Sequence, residues 1–481
     1  VIRRLAVPLL LVAVALGCAV AAYVVDQGGE TADAAVEIES PVTPVLSARR
    51  VPEHLTEDIA DRRLRTALTA IADGAPPETC IVVDAGGRPI IAKDAATALI
   101  PASNQKVLTA AAAFEALGPR HRYTTEVRAA ARPNANGVVN GDLFLVGGGD
   151  PVLSTRAYAR RSEIQTLART PLETLADRVV ASGVTEVRGR VLGDESRYDS
   201  TRYVDAWPTR FIDQNQTGPL SALSVNDGFS EFPDFDAREL NVPASDPPAQ
   251  AAEVFLDLLE QRGVEVTGGA AAGTAGRQDP VIAELRSAPL SDIAGQFLTW
   301  SENQTAELVL KEIGFVHDGR GSTTGGAAAV EAILADAGFD LTGSDAVDGS
   351  GLAGSNRVTC SLLHAVLANA GVRSPLVRGL AVAGRTGTLG TTFADLSIIP
   401  DFSGTPLVGR LRAKTGSLNE VRALSGVVVV PQGDDLTFST LVNEDFISAA
   451  GDAVRIDVGL ALAAYPQRPN LDQVGPRPLE R

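Results

Sequence analysis

Residues 99–106 read Leu99-Ile100-Pro101-Ala102-Ser103-Asn104-Gln105-Lys106, and an Ala-rich run follows to Leu117 and Gly118. Residues 104–117 are mostly strong helix formers, Ser103 suits a helix N-terminus, and Gly118 suits the position just past a helix end. The spacing therefore predicts that Ser103 opens a helix, at the positive end of its dipole. Lys106, three residues on, falls on the same face. An amine beside a hydroxyl is what a serine nucleophile needs when no histidine is at hand.

Lysine usage sharpens this reading. The 42 basic residues include only four lysines. Lys106 is one, and a second opens Lys414-Thr415-Gly416-Ser417. Between the two motifs lies Ser301-Glu302-Asn303. Arginine supplies the surface charge, so a retained lysine marks a place where a guanidinium will not serve, such as a neutral amine base. Each motif alone has an ordinary structural reading, as a helix cap or a strand-end turn. Their joint occurrence in this order does not.

Composition bounds the remaining classes. The chain has 481 residues, 45% of them apolar, which suits two or three globular domains. A net charge of −17 argues against a nucleic-acid partner and leaves no basic footprint for anionic lipid. The four histidines are scattered, without His-Glu-x-x-His, and there is no Cys-x-x-Cys. Neither a metal site nor a histidine-based triad is expected, and the histidines read as surface or core residues. Cys80 and Cys360 either pair outside the cytoplasm or are buried thiols.

Residues 5–25 carry no charge and follow Arg3-Arg4. They are long enough to span a bilayer, with the N-terminus on the cytoplasmic side. Their length favours an uncleaved transmembrane anchor. A cleaved signal peptide ending at Ala19-Val20-Ala21, or a lipobox ending at Cys18, are the competing readings. All three place the rest of the chain outside the cytoplasm. Residues 26–48 are acidic and aperiodic, as in a disordered linker.

The folded part begins near Arg49. Residues 54–72 have helical spacing, and a hairpin follows with strands at 80–84 and 89–92. From 123 to 284 the texture changes to short strands (123–131, 141–146, 186–192, 264–267) and helices (162–181, 249–262) broken by Pro/Gly joints, which reads as an inserted region. Gly147-Gly148-Gly149-Asp150-Pro151 lacks the Lys-[Ser/Thr] of a phosphate loop and reads as a turn. Beyond it, helices are expected at 290–300 and at 306–313, the latter ending at Gly314, so that the Ser301 triplet sits on the connection between them. A turn at 348–352 and a helix at 359–370 follow. A strand at 409–413 ends in the Lys414 triplet, strands at 424–430 and 436–442 complete a meander, and 452–465 close as a helix. Arg385-Thr386-Gly387-Thr388 mimics the Lys414 motif but lies in a Gly-rich loop. The whole is an α/β sandwich, an antiparallel sheet flanked by helices, built from 49–122 and 285–481 around the insert.

The three motifs, in this order, resemble those of the penicillin-recognising serine D,D-peptidases. The large gap between Ser103 and Ser301 resembles the class C low-molecular-mass penicillin-binding proteins, the D-alanyl-D-alanine carboxypeptidase/endopeptidase family. Leu145 to Pro151, Asp348 to Leu352 and Ala413 to Leu418 are similar to strings of that family, and the likeness covers about 50–465. Glu302 stands where the family more usually has Asp. The resemblance implies a transpeptidase/β-lactamase-like fold and a peptidoglycan stem peptide ending in D-Ala-D-Ala as substrate. It also implies β-lactams as covalent inhibitors and no cofactor.

The roles that follow are Ser103 as nucleophile, Lys106 as its base, Ser301 as proton relay and Asn303 as the group orienting Lys106 and the substrate amide. Lys414 is expected to supply positive potential for the substrate's terminal carboxylate, which the Thr415 and Ser417 hydroxyls bind. Gly416 is expected to let the strand edge approach the substrate. The oxyanion hole would be the Ser103 and Ser417 N–H groups. Two alternatives stand beside this enzyme: a catalytically weak penicillin-binding wall scaffold, and a β-lactamase-like hydrolase.

Overall fold

The computed structural model describes residues 52–161, 167–233, 240–393, 406–431 and 433–469, with positions 16, 47, 49, 474 and 475. The main compact unit is Glu57–Pro469, and Val1–Thr56 with Asn470–Arg481 make up a second. The apolar run 5–25 and the linker 26–48 lie outside the described residues, apart from positions 16 and 47. Among the described residues no helix is long and apolar enough to cross a membrane.

Six strands form one antiparallel sheet, in the order Ala381–Val382, Leu411–Leu418, Val421–Val428, Leu436–Asn443, Glu78–Ala85 and Arg88–Lys93. The early hairpin thus closes onto the late meander, with Glu78 opposite Asn443. Side chains alternate between two cores, as the two-residue strand period requires. Cys80 and Val82 enter one core, with the helices Gln105–Ala116, Leu290–Trp300, Asn303–Asp318, Thr323–Asp336 and Cys360–Ala370. Ile81, Val83 and Ala85 enter the other, beneath the helices Pro52–Gly74 and Ala449–Ala463. The expected arrangement of helices on an antiparallel sheet is present. Cys80 and Cys360 form a disulfide across 280 residues of sequence, joining a central strand to a covering helix.

Between Tyr123 and Ser287 the chain builds a second, five-stranded sheet, in the order Ala270–Ala272, Val191–Asp194, Leu143–Val146, Thr124–Ala129 and Val281–Arg286. Thr124–Ala129 and Val281–Arg286 pair antiparallel, so the chain enters and leaves this region on neighbouring strands. Leu143, Leu145 and Val191 pack there against the helices Leu172–Ala181 and Pro247–Glu260.

Several local expectations need correction. The stretch 186–192 is not one strand. It breaks after Val187 and resumes at Val191 in a different sheet, because the chain passes tightly over Gly141 at Gly189. The helix expected over 162–181 begins only at Leu172. Pro171 biases the preceding residue away from helix, and Thr170–Pro171 is a short strand (162–166 lie outside the described residues). The helix expected to stop at Gly314 runs from Asn303 to Asp318. Gly314 is instead where Thr323–Asp336 crosses it, since a Cβ would lie 2.6 Å from Gly326 N. That crossing helix, with its Gly-rich start, went unread in the sequence. The Lys414 triplet does not end its strand: pairing with Val421–Val428 continues to Leu418 opposite Val421.

Candidate active site

Ser103 does not cap its helix. It sits in a 3-10 turn, Ala102–Asn104, that feeds into Gln105–Ala116, and no side-chain cap bond is made there. Ala102 takes a left-handed φ of 46°. Its carbonyl occupies the space a side chain at Gly351 would need, with 1.9 Å to an ideal Cβ. Ser301 is also left-handed, at φ 66°, as the chain turns between the helices Leu290–Trp300 and Asn303–Asp318. Unfavourable backbone at two non-glycine positions of one site is held only because packing over-determines it.

These turns bring the three motifs together. Lys106 Nζ lies 3.0 Å from Ser103 Oγ, 2.8 Å from Asn303 Oδ1 and 2.6 Å from the Ser350 carbonyl oxygen. Ser301 Oγ donates to Ser103 Oγ over 3.0 Å. Lys414 Nζ donates to Ser301 Oγ and to the Thr415 carbonyl oxygen, each at 2.9 Å. The Asn303 oxygen and the Ser350 carbonyl only accept, so they take two N–H bonds from Lys106. In the neutral amine that leaves the lone pair facing Ser103 Oγ–H, the polarity a general base requires.

Burial moves Lys106 toward that neutral form. Lys106 is wholly buried, and desolvation lowers its pKa to about 8, against the opposing pull of Asp348, Glu307 and Glu302. Lys414 is equally buried and is held well below the usual lysine range by burial and then by Lys106. Glu302 is pushed up to about 7 by burial and the nearby Asp227, offset by Arg169 and Lys106. Behind Lys106, Glu307 Oε1 accepts from the backbone N–H of Gly349 (3.1 Å) and Ser350 (2.7 Å). Asp348 accepts from Gly351 N, Ala353 N, Asn356 Nδ2 and Trp207 Nε1. Burial pushes the Glu307 carboxyl upward, with Asp348 adding to the effect.

A cleft of about 670 Å³ opens over Ser103, lined also by Ser301, Asn303, Gly351, Thr415 and Ser417. Along Leu411–Leu418 alternate side chains take opposite faces. Lys414 and Gly416 point toward Ser301 and the nucleophile turn. Thr415 and Ser417 share the other face with Leu411 and Ala413, which enter the core beneath Ala449–Ala463. Lys414 is withdrawn from the cleft surface, so it presents no exposed charge there. Gly416 serves the protein's own packing, since a Cβ would sit 2.8 Å from the Pro101 carbonyl oxygen and 2.9 Å from the Asn104 amide.

Sequence reading missed several contributors. Thr388 Oγ1 accepts from Thr415 Oγ1 at 2.8 Å, so the loop that mimics the Lys414 motif borders the site. The Gln216 carbonyl accepts from Asn303 Nδ2 at 2.8 Å, which brings the inserted region to the catalytic groups. Glu307 had no signal, lying inside a helix. Asp348 and Ser350 lay in a string already singled out. Among the described residues no group of three or more His, Cys, Asp or Glu is placed to hold a metal ion.

The geometry is that of a serine hydroxyl with a buried amine in hydrogen-bond reach, as serine acyl-transferases use. The sequence model of the D-Ala-D-Ala carboxypeptidase 3 (S13) family matches residues 64–233 and 232–464. The chain is 32% identical to a D-alanyl-D-alanine carboxypeptidase of Actinomadura sp. (strain R39), over 89% of this chain and 87% of that protein. It is 32% identical to carboxypeptidase DacB of Mycolicibacterium smegmatis, over 89% and 92%. The crystal structure of penicillin binding protein 4 (dacB) from Haemophilus influenzae shares the fold, with a TM-score of 0.68, 22% identity, and coverage of 83% of this chain and 98% of that one. The chain belongs to the D-Ala-D-Ala carboxypeptidase 3 (S13) family, and with it to the serine-type D-Ala-D-Ala carboxypeptidases.

Proposed function

We propose that this protein removes the terminal D-Ala from peptidoglycan stem peptides through an acyl-enzyme on Ser103, and that β-lactams acylate the same hydroxyl. The observation that carries the reading is the buried Lys106 amine, 3.0 Å from Ser103 Oγ with its two N–H groups engaged elsewhere. Lys106 takes the Ser103 proton as Oγ attacks the penultimate D-Ala carbonyl. The backbone N–H groups of Ser103 and Ser417 receive the oxyanion, each donor worth about 3 kcal/mol in comparable sites. Ser301, bonded to both Ser103 and Lys414, gives its proton to the leaving D-Ala nitrogen and is reprotonated by the proton that Lys106 took from Ser103, so Lys106 is neutral again in the acyl-enzyme. Water then attacks the ester and gives a proton to Lys106, which passes it to Ser103 Oγ as the ester bond breaks. Where the leaving group is a cross-linked side chain, the same steps constitute endopeptidase action.

In this reading the segments 49–122 and 285–481 are the catalytic domain, and 123–284 is an insert. An extracytoplasmic location fits both the Cys80–Cys360 disulfide, which oxidising compartments maintain, and the substrate. In this reading residues 5–25 are the export signal or membrane anchor. The test is intact-mass analysis of the protein with benzylpenicillin, alongside Ser103→Ala. A one-equivalent adduct on Ser103, absent from the variant, supports the mechanism. A well-folded protein with no adduct sinks it, and rapid penicillin loss without an adduct points to a β-lactamase-like hydrolase.

A further inference from the structure

A carboxypeptidase must recognise a free carboxylate, and the arrangement of Leu411–Leu418 leaves Lys414 unable to do so. Its Nζ is withdrawn from the cleft and bonded to Ser301 and the Thr415 carbonyl. The hydroxyls of Thr415 and Ser417 stand on the opposite face of the strand. A cation serving those hydroxyls can come from the helix packed on that face, Ala449–Ala463, or from the neighbouring strand, where Arg422 stands opposite Ser417.

Two cationic side chains line the cleft, Arg422 and Arg455. Arg422 is committed: its Nε meets Asp452 Oδ1 at 2.6 Å, and its Nη1 donates to the carbonyls of Leu418 (2.7 Å) and Val421 (2.9 Å). Arg455 is different. It lies in the second turn of Ala449–Ala463, with Nη1 3.5 Å from Ser417 Oγ. Its Nε is buried without a hydrogen-bond partner, and among the described residues no carboxylate is in salt-bridge contact with it. Asp452, one turn earlier, is engaged by Arg422. A half-buried guanidinium with no direct ion pair, attracted only through space by an Asp452 that Arg422 already holds, stands beside the Ser417 hydroxyl and can offer its fork to a planar carboxylate.

Resting on the carboxypeptidase reading above, we infer that Arg455 is the receptor for the substrate's C-terminal carboxylate, with Ser417 and Thr415 completing the pocket. It is a specificity residue that lines the same cleft and stands outside the Ser103–Lys106–Ser301 hydrogen-bond set. The inference also fixes the substrate's direction. The leaving D-Ala lies toward the Ser417 end of the strand, and the acyl part extends back past Asn303 and Gln216.

The test compares kcat/KM for a diacylated L-Lys-D-Ala-D-Ala peptide and for its C-terminal carboxamide, in wild type, Arg455→Gln and Arg455→Lys. Wild type should favour the acid. Arg455→Gln should lower the acid-to-amide ratio by roughly 10- to 100-fold, the usual weight of a hydrogen-bonded charge contact, and Arg455→Lys should retain part of the preference. Acylation by benzylpenicillin and by its methyl ester gives the same ratio in a second reaction. An equal fall on acid and amide in Arg455→Gln would mean that Arg455 is structural, and an unchanged ratio would mean that the carboxylate binds elsewhere. Either result overturns the inference. Wild type that neither turns over peptide nor forms a penicillin adduct would overturn the carboxypeptidase reading itself, and this inference with it.

Discussion

Lys106 Nζ donates to the Ser350 carbonyl oxygen over 2.6 Å, from a helix to a loop 244 residues further along the chain. That carbonyl is held from behind by Glu307, which accepts the N–H groups of Gly349 and Ser350. The direction of the lysine lone pair is therefore set by Asn303, by a loop that borders the cleft, and by a buried carboxylate behind that loop.

The pH dependence of acylation follows from this. Only the neutral Lys106 can take the serine proton, and burial places its pKa at about 8. The rate of benzylpenicillin acylation should fall roughly tenfold per pH unit below that value and level off above it. Glu307 raises the lysine pKa, so Glu307→Gln, which keeps an oxygen acceptor, should move the acid limb to lower pH. A limb that stays in place, measured by stopped-flow acylation across pH 5–9, would remove Glu307 from the titration.

Gly416 tests the packing of the nucleophile turn. A Cβ there meets the Pro101 carbonyl at 2.8 Å, and Pro101 precedes the turn that carries Ser103. Gly416→Ala should destabilise the fold by about 1–3 kcal/mol, as overpacking does, and should slow penicillin acylation. Wild-type acylation with a lowered melting temperature would show that the turn relaxes without moving Ser103.

Trp207 comes from the inserted region, and its Nε1 donates to Asp348 over 2.8 Å. Trp207→Phe leaves a buried carboxylate one partner short. The expected loss is on the order of 1–3 kcal/mol, read as a lower urea midpoint at unchanged slope. Acylation should slow as well, because Asp348 also organises the Gly351 and Ala353 amides beside the site.

The Cys80–Cys360 bridge closes a very long loop. Removing it should cost about 2–5 kcal/mol. Reductant should lower the melting temperature of the wild type and leave a Cys80→Ala/Cys360→Ala variant unaffected. Equal sensitivity in both proteins would falsify the pairing in solution.

The sequence by itself determined which groups the fold gathers at one site. Lysine scarcity and three short motifs named Ser103, Lys106, Ser301, Asn303 and Lys414 as one set, and the late apolar strands separated by turns named the meander. These signals are local: each depends on residues within a few positions of one another. The tertiary structure decided what each group faces. The pairing of Glu78–Ala85 with Leu436–Asn443 closes the sheet across the chain, and no period within either segment encodes it. Running the Lys414 strand on to Leu418 sends Lys414 and Ser417 to opposite faces. That leaves Lys414 a buried amine and Arg455, unmarked in the sequence, beside the Ser417 hydroxyl. The pKa of Lys106 is set in the same way, by desolvation and by Asp348, Glu307 and Glu302, which lie about 200 to 240 residues further along the chain. Desolvation and long-range contact exist only once the chain has folded, so composition and spacing could name the lysine but not its charge.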